Sequence, residues 1–270
     1  MIVYLLLILV LLFFLGMAIG SFLNVIIYRM VNGDSALRGR SYCDNCKQKI
    51  AWYDNIPVLS FILLHRKCRY CGMPIPWEYP AVEFLTGSLF VWWYLMGFTF
   101  FHLTSRPFLI VQPVFWLCIG IILLVIFFAD FSYAIIPDSA VFIMGLLSLT
   151  YHFFLTSHHV MMQSDFALTL ITAGGAGLFF FLLHVLTKGK GMGLGDVKYS
   201  IAMGLLLGWP DTLVGLFVAF ILGSIVGIIA ILLSKKKLGS RIPFGPFLVL
   251  GTIIALLWGS QLVTMYLRLL

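Results

Sequence analysis

The fold is organised around residues 191–198, which read Gly-Met-Gly-Leu-Gly-Asp-Val-Lys and are followed by the apolar stretch 201–209. The glycines allow the backbone to turn tightly and to approach a partner closely. Because the apolar stretch follows it directly, Asp196 is predicted to lie at the start of a hydrophobic helix. Because charged side chains are costly at membrane depth, such a carboxylate marks a candidate functional site. Asp is also a good N-cap residue, so Asp196 could instead only cap the helix.

Composition places the protein in a lipid bilayer. Hydrophobic residues make up 62% of the 270 residues, charged residues make up 10%, and the mean hydropathy is +1.08. A soluble domain is not expected to have this composition. In a membrane protein the net charge of +7 reports orientation rather than nucleic-acid binding, so we predict no nucleic-acid partner.

Eight apolar stretches predict transmembrane helices, since a crossing needs about 20 apolar residues. The sixth is short for a full crossing. The predicted fold is an all-α polytopic membrane protein with about eight transmembrane helices and a cytosolic zinc-type loop. The stretches cover residues 2–27, 80–101, 107–129, 139–155, 166–186, 196–208, 212–233 and about 242–267.

The zinc-type loop is the long polar stretch 29–79, which separates a first span (1–28) from a predicted seven-helix membrane core (80–270). Two Cys-x-x-Cys pairs with this spacing can bring four thiolates to one tetrahedral Zn²⁺. Disulfides are the alternative, but they need an oxidising compartment. The four candidate ligands are Cys43, Cys46, Cys68 and Cys71.

Charge asymmetry predicts the orientation of the chain. With eight spans, 15 Lys and Arg residues fall on the side of the cysteine-rich loop, and only Arg106 and Arg268 fall on the other. By the positive-inside rule, the loop is cytoplasmic and both termini are outside. Asp196 and Asp130, which ends the third span, then lie at the same depth on the cytoplasmic side.

An aspartic protease needs at least two carboxylates at one site. Because like charges in proximity cannot both ionise easily, one proton is shared. The ionised carboxylate activates water and the protonated one polarises the scissile carbonyl. The alternative is two unrelated carboxylates at the membrane interface. Of the neighbouring groups, Asp138 is predicted to cap the fourth span, and Lys198 could attract Asp196 towards the ionised state.

Seven short motifs in this order resemble those of the type IV prepilin peptidases, bifunctional leader peptidase/N-methyltransferases of the G-x-G-D aspartic protease group. The resemblance covers nearly the whole chain. The motifs are Gly20-Ser21-Phe22-Leu23-Asn24 with Tyr28-Arg29; the two Cys-x-x-Cys pairs; Asp54-Asn55-Ile56-Pro57; Tyr79-Pro80-Ala81-Val82-Glu83; Asp130 seven residues before Pro137; Gly193-Leu194-Gly195-Asp196-Val197-Lys198; and Ile242-Pro243-Phe244-Gly245-Pro246-Phe247.

The resemblance implies a bacterial inner-membrane enzyme with prepilin-like proteins as substrates. Such an enzyme cleaves a short basic leader after a glycine on the cytoplasmic side, then methylates the new amino terminus with S-adenosylmethionine. The family's catalytic aspartates map onto Asp130 and Asp196, although Ser132 stands where many relatives carry a second acidic residue. The sequence contains no glycine-rich nucleotide fingerprint, so methylation rests on the resemblance alone. Glu83 and Asp54 are candidate ligands for the incoming amine.

Two other interpretations use the same features. A G-x-G-D protease could instead cut inside a membrane span or cut a preflagellin leader, but the large cysteine-rich loop disfavours this. A transporter or membrane scaffold with a zinc-stabilised knob, without peptidase activity, belongs to a different class of protein. The missing internal repeat disfavours a transporter, and a scaffold does not need paired carboxylates at one depth.

Overall fold

The computed structural model describes residues 2–33, 39–43, 45–100, 107–189, 191–233 and 243–268, with the backbone alone at 98–100. Within these ranges every regular element is helical, and extended pairing is limited to two isolated β-bridges in the cysteine-rich loop. The all-α prediction is confirmed. The helices are α1 (Ile2–Asn32), a 3₁₀ turn (Trp52–Asn55), α2 (Leu59–Leu63), α3 (Glu78–Phe100), α4 (Phe108–Tyr133), α5 (Asp138–Ser157), α6 (Gln163–Leu186), α7 (Leu194–Leu207), α8 (Asp211–Leu232) and α9 (Gly245–Leu267).

The eight predicted spans correspond in order to α1 and α3–α9. Six of these helices (α1, α4, α5, α6, α8 and α9) are long and apolar enough to cross a membrane, so the chain is a multi-pass membrane protein. The 14 residues of α7 rise only about 21 Å, less than the roughly 30 Å of hydrocarbon. The count of eight crossings therefore stays a prediction. Several charges used to predict sidedness lie outside the described residues, namely Arg38, Arg106, Lys190, Lys235, Lys236, Lys237 and Arg241.

The chain forms two compact units, an N-terminal unit of residues 1–128 and a C-terminal unit of residues 129–270. The predicted division at residues 28 and 79 followed polarity rather than packing, and it stays a prediction.

In the N-terminal unit, glycines on α1 let that helix pack tightly along α3. A Cβ added at Gly16 would lie 2.8 Å from the backbone of Gly87, and one at Gly20 would lie 2.7 Å from the Cα of Glu83. Asn24 Nδ2 donates to the carbonyl of Tyr79 at 3.0 Å, which is the hydrogen bond between helices expected of a polar residue in a span. This close approach holds the first turns of α3 beside α1.

In the C-terminal unit, α7 packs directly against α6. A Cβ at Gly204 would lie 2.5 Å from the Cα of Ala173 on α6. Of the three glycines in α6, only Gly177 lies in such a close approach, against Ile201, whereas Gly174 and Gly175 have nothing within 4 Å.

A buried hydrogen bond fixes α7 to α9. The hydroxyls of Tyr199 and Thr252 lie 2.8 Å apart, and both residues are fully buried. Because an unpaired polar group is costly in an apolar environment, this bond specifies the register of the two helices. It lies one turn from Asp196 and fixes the helix that carries that carboxylate.

Candidate active site

Asp130 lies in the last turn of α4 and is only 5% exposed. Its Oδ2 accepts a hydrogen bond of 2.9 Å from the backbone N–H of Gly245, the first residue of α9. The first N–H groups of a helix have no partner within it and carry partial positive charge, so they suit a buried carboxylate. A Cβ at Gly245 would lie 2.6 Å from the same oxygen, and only glycine fits there.

Asp196 is the third residue of α7 and is 8% exposed. Its Oδ2 accepts a hydrogen bond of 3.0 Å from the N–H of Gly193, which occupies the N-cap position. Asp196 is therefore not the N-cap residue, although its carboxylate reaches back to the helix start as the acidic residue of a capping box does. This contact involves one of its two oxygens.

The two carboxylates belong to one buried site in the C-terminal unit. The two carboxyl groups lie within electrostatic range of each other. Ile136, in the connection after α4, lies close to α7, since a Cβ at Gly195 would be 3.1 Å from its Cβ. This contact holds the connection after α4 beside the start of α7. The structure thus places Asp130 and Asp196 in the same part of the C-terminal unit, and their role as the catalytic pair stays a prediction.

Two neighbouring charged residues differ from the sequence prediction. Lys198 Nζ lies 2.7 Å from Asp138 Oδ2 and not beside Asp196. Asp138 is the first residue of α5 rather than its N-cap, a position taken by Pro137 without a side-chain hydrogen bond. The prediction that Asp138 caps α5 is wrong: its carboxylate forms an ion pair with Lys198 and makes no capping hydrogen bond. This pair is exposed, so salt and water screen it.

Sequence reasoning missed the role of Gly245. The Gly-Pro pair at the start of the last span indicated a helix start, but the residue that Gly245 contacts is 115 positions earlier. The available sequence signal was Gly245 itself, a glycine at the start of a helix that does not require glycine there. Such a glycine often marks a close approach of the backbone to another group.

The four predicted zinc ligands form one cluster that could hold a metal ion. Their sulfur atoms lie within 4.8 Å of one another, and the Cys43 and Cys71 sulfurs are 3.8 Å apart. A tetrahedron with Zn–S bonds of about 2.3 Å has S···S edges of about 3.8 Å. None of the protein's five cysteines forms a disulfide.

Both cysteine pairs adopt the same turn. The N–H of Cys43 donates to the carbonyl five residues later, at Gln48, and its carbonyl accepts from Lys47. Cys68 makes the same two bonds with Met73 and Gly72. Lys47 and Gly72 hold equivalent positions and both have left-handed backbone conformations, with φ of 56° and 70°. The two turns, which we call the zinc knuckles, therefore present their sulfurs in the same way.

The thiols of the cluster have divergent acidities. A hydrogen bond from the N–H of Met73, followed by one from the Asn45 side chain, lowers the pKa of Cys71 to about 6. The N–H of Gln48 lowers the pKa of Cys46, but burial and the other three cysteines together raise it to about 11. Four adjacent thiols cannot all become thiolates without a compensating cation. This chemistry fits a metal ion.

A cavity of about 650 Å³ lies in the N-terminal unit, between the cysteine-rich loop and the adjoining ends of α1 and α3. Both candidate amine ligands line it. Asp54 binds Arg69 through two short hydrogen bonds of 2.6 and 2.9 Å, and this bond raises the pKa of Arg69. Glu83 is 9% exposed, and its Oε2 accepts the N–H of Val58 at 2.7 Å.

Two family models match the chain. The Bacterial Peptidase A24 N-terminal domain matches residues 14–97, and the Type IV leader peptidase family matches residues 117–228. The second match includes both buried aspartates, Asp130 and Asp196. No solved structure matches the chain.

Curated proteins match over nearly their full length. Proteins named prepilin leader peptidase/N-methyltransferase from Legionella pneumophila and Pseudomonas aeruginosa are 31% and 30% identical to the chain. These matches cover 93% and 94% of this chain and 91% of each relative. The chain belongs to this family. A relative of the same name from Aeromonas hydrophila is 31% identical over 95% of this chain and 93% of its own length. Membership in the prepilin leader peptidase/N-methyltransferase family confirms the resemblance drawn from the motifs.

Proposed function

We propose that this enzyme cleaves the short basic leader of prepilin-like proteins after a glycine and then methylates the new amino terminus. The family and the names of its members support both activities. The observation that carries the peptidase assignment is the pair of buried, interacting carboxylates Asp130 and Asp196. Transport or scaffolding, the alternative considered from sequence, gives no reason to bury two like charges together.

In the proposed cleavage step, Asp130 and Asp196 share one proton. The ionised carboxylate takes a proton from water, whose oxygen attacks the scissile carbonyl carbon, while the protonated carboxyl donates to the carbonyl oxygen. The carbon–nitrogen bond then breaks, and the departing amine receives a proton. Gly193 and Gly245 hold one oxygen of each carboxylate, so the pair is oriented before substrate arrives.

For the metal, we propose one structural Zn²⁺ held by Cys43, Cys46, Cys68 and Cys71. All four ligands come from protein, which leaves no open position for catalysis. The ion would tie the two zinc knuckles together, because a loop of this length builds little core of its own. Cys43 and Cys68 also line the 650 Å³ cavity, so the metal would set the shape of one cavity wall.

The same cavity is the proposed site of methyl transfer. Its volume lies within the usual range of about 300–1,000 Å³ for small-molecule sites. Tyrosine rings suit an adenine, and Arg40 suits a carboxylate. These residues fit S-adenosylmethionine, which would supply the methyl group.

We further propose that both sites face the cytoplasm of the bacterial cell, on the charge asymmetry of the loops. Single cysteines at Lys188 and Asp165, in a background without accessible cysteines, test the orientation. An impermeant thiol reagent added to intact cells should label position 165 only. Labelling at position 188 would contradict both the orientation and the eight-span topology.

The test of the whole proposal is co-expression with a candidate prepilin, followed by mass spectrometry of the prepilin amino terminus. The expected product lacks the leader and carries one added methyl group. Intact prepilin beside well-expressed, membrane-inserted protein, repeated across several prepilins and pseudopilins, would overturn the peptidase assignment and favour a scaffold.

A further inference from the structure

Two acidic side chains among the described residues line the 650 Å³ cavity, Asp54 and Glu83. Only one of them is in a position to act on a ligand. The Asp54 side chain is 6% exposed, and both of its oxygens accept hydrogen bonds from the Arg69 guanidinium. A carboxylate bound in this bidentate way is already neutralised by its cation. Asp54 therefore has a structural role at the edge of the cavity.

Glu83 has a different environment. It lies in the second turn of α3, directly opposite Gly20 of α1, and lines the cavity. Its carboxylate is held by the N–H of Val58 and by the Ser21 hydroxyl. Neither donor carries a charge, so the negative charge of Glu83 is oriented but not neutralised by them. A buried carboxylate in this state attracts a cation from the cavity.

The second reaction of the proposed function brings such a cation. Cleavage leaves an α-amino group whose ordinary pKa is about 7.7–8.0, so most of it is protonated at neutral pH. An ammonium group has no lone pair for attack on a methyl carbon. A base in contact with the ammonium must take one proton before methyl transfer, and among the described acidic groups lining this cavity, Glu83 alone is without a cationic partner.

We infer that Glu83 is a catalytic residue of methyl transfer, which binds the ammonium group of the cleaved substrate and removes one of its protons. This inference rests on the proposed function. Glu83 takes a proton and becomes neutral, and the freed amine attacks the methyl carbon of the sulfonium donor. One carbon–nitrogen bond forms, and the carbon–sulfur bond breaks with its electron pair left on sulfur. The product is a monomethyl ammonium group, and the Glu83 proton returns to solvent.

The inference is tested with two variants that separate charge from shape. Glu83→Gln keeps an oxygen that can accept the Val58 N–H but removes the charge and the base. Glu83→Asp keeps the charge but shortens the side chain, so it loses reach towards Val58. If Glu83 is the base, Glu83→Gln should methylate at least about 100-fold more slowly than wild type at neutral pH. Glu83→Asp should then retain more activity than Glu83→Gln. A purely structural role predicts the opposite order.

Binding provides a readout that does not depend on turnover. The probe is a synthetic peptide of the mature substrate amino terminus, either with a free amine or acetylated, bound to purified full-length protein without a methyl donor. Wild type should prefer the free amine by about tenfold, because a charged hydrogen bond is lost on acetylation. Glu83→Gln should bind both peptides alike.

Cleavage and zinc content complete the experiment. Both Glu83 variants should cleave prepilin and retain zinc like wild type, since the peptidase aspartates lie in the other unit. Normal methylation by Glu83→Gln would overturn the inference alone, as would joint loss of zinc and cleavage. Wild-type protein that cleaves but never methylates would overturn this inference together with the methyltransferase part of the proposed function. Wild-type protein that does not cleave would overturn the peptidase part.

Discussion

The two units bury carboxylates in the same way but in different numbers. Glu83 in the N-terminal unit and Asp130 and Asp196 in the C-terminal unit are all at most 9% exposed, and each accepts a backbone N–H. Glu83 lies beside an open cavity, whereas the two aspartates interact with each other. A lone carboxylate can serve as a base, but a pair that shares a proton supplies an acid and a base together. This difference fits the roles that we propose, proton removal in the N-terminal unit and peptide hydrolysis in the C-terminal unit.

The strongest test of this contrast is the removal of one titrating group from the pair. Asp130→Asn and Asp196→Asn keep the side-chain shape, so each should insert in the membrane and bind zinc. Each should reduce prepilin cleavage by at least about 100-fold, because neither the acid nor the base can be spared. Cleavage is measured by mass spectrometry of co-expressed prepilin at matched enzyme levels.

Asp138→Asn is the matched control for the aspartate variants. Its carboxylate forms an exposed ion pair with Lys198, and such a pair contributes about 0–1 kcal/mol. This variant should cleave almost normally. Near-normal cleavage by Asp130→Asn with loss in Asp138→Asn would show that Asp138, not Asp130, is the partner of Asp196.

The next largest effect concerns the metal of the N-terminal unit. Cys43→Ser or Cys68→Ser removes a zinc ligand and alters a wall of the cavity. Because the cavity wall changes, methylation should fall by about 100-fold or more. Cleavage should fall much less, because the aspartate pair has its own contacts in the other unit. Metal analysis should give about one zinc per wild-type chain and well under half an equivalent in the variants. Equal losses of both activities would show that the two units do not work separately.

Local sequence pattern predicted much of this structure. Apolar stretches located α1 and α3–α9 to within a few residues, because each of these helices carries a continuous apolar sequence. The Cys-x-x-Cys spacing predicted the cluster, since a tight turn already brings each pair together. The prediction that Asp130 and Asp196 lie at the same depth came from span ends alone, and it stays a prediction.

Contacts between distant residues could not be predicted from these patterns. The hydrogen bond from Gly245 to Asp130 and the ion pair of Lys198 with Asp138 depend on which helices lie side by side. Hydropathy and span counting leave that arrangement open. The shape and lining of the cavity beside Glu83 could not be predicted either, since its residues come from three separate stretches of the chain. Its acidic residues were recognised as candidates, but only the bond between Asp54 and Arg69 separates their roles.

A smaller effect is expected from the glycine that supports Asp130. In Gly245→Ala the added Cβ would lie 2.6 Å from Oδ2 of that aspartate, so the carboxylate must shift. A displacement approaching 1 Å can cost up to about 100-fold in rate, and we expect a loss of about tenfold in cleavage. Gly174→Ala is the control, because nothing lies within 4 Å of that position. Equal cleavage by the two variants would show that the carboxylate position is not fixed by this contact.

The smallest expected effect lies within the zinc knuckles. Gly72 has φ of 70° with open space around it, so an added methyl group meets no neighbouring atom but must adopt a left-handed backbone. This costs a non-glycine residue about 1 kcal/mol. Lys47 bears the same conformation in the other knuckle, where its ammonium group lies 5.1 Å from the Tyr42 ring. An alanine has no such compensation.

Gly72→Ala should therefore release zinc to a competing chelator about fivefold more readily than wild type, a change of about 1 kcal/mol. Gly33→Ala is its control, since Gly33 also has a left-handed φ and open surroundings but follows α1, outside both knuckles. That variant should carry similar backbone strain and yet retain zinc normally. Prepilin cleavage should be unchanged in both, because the aspartate pair is held by contacts of the C-terminal unit. If Gly72→Ala weakened cleavage as much as zinc retention, the zinc knuckles would be supporting the peptidase site. The two units would then not work separately.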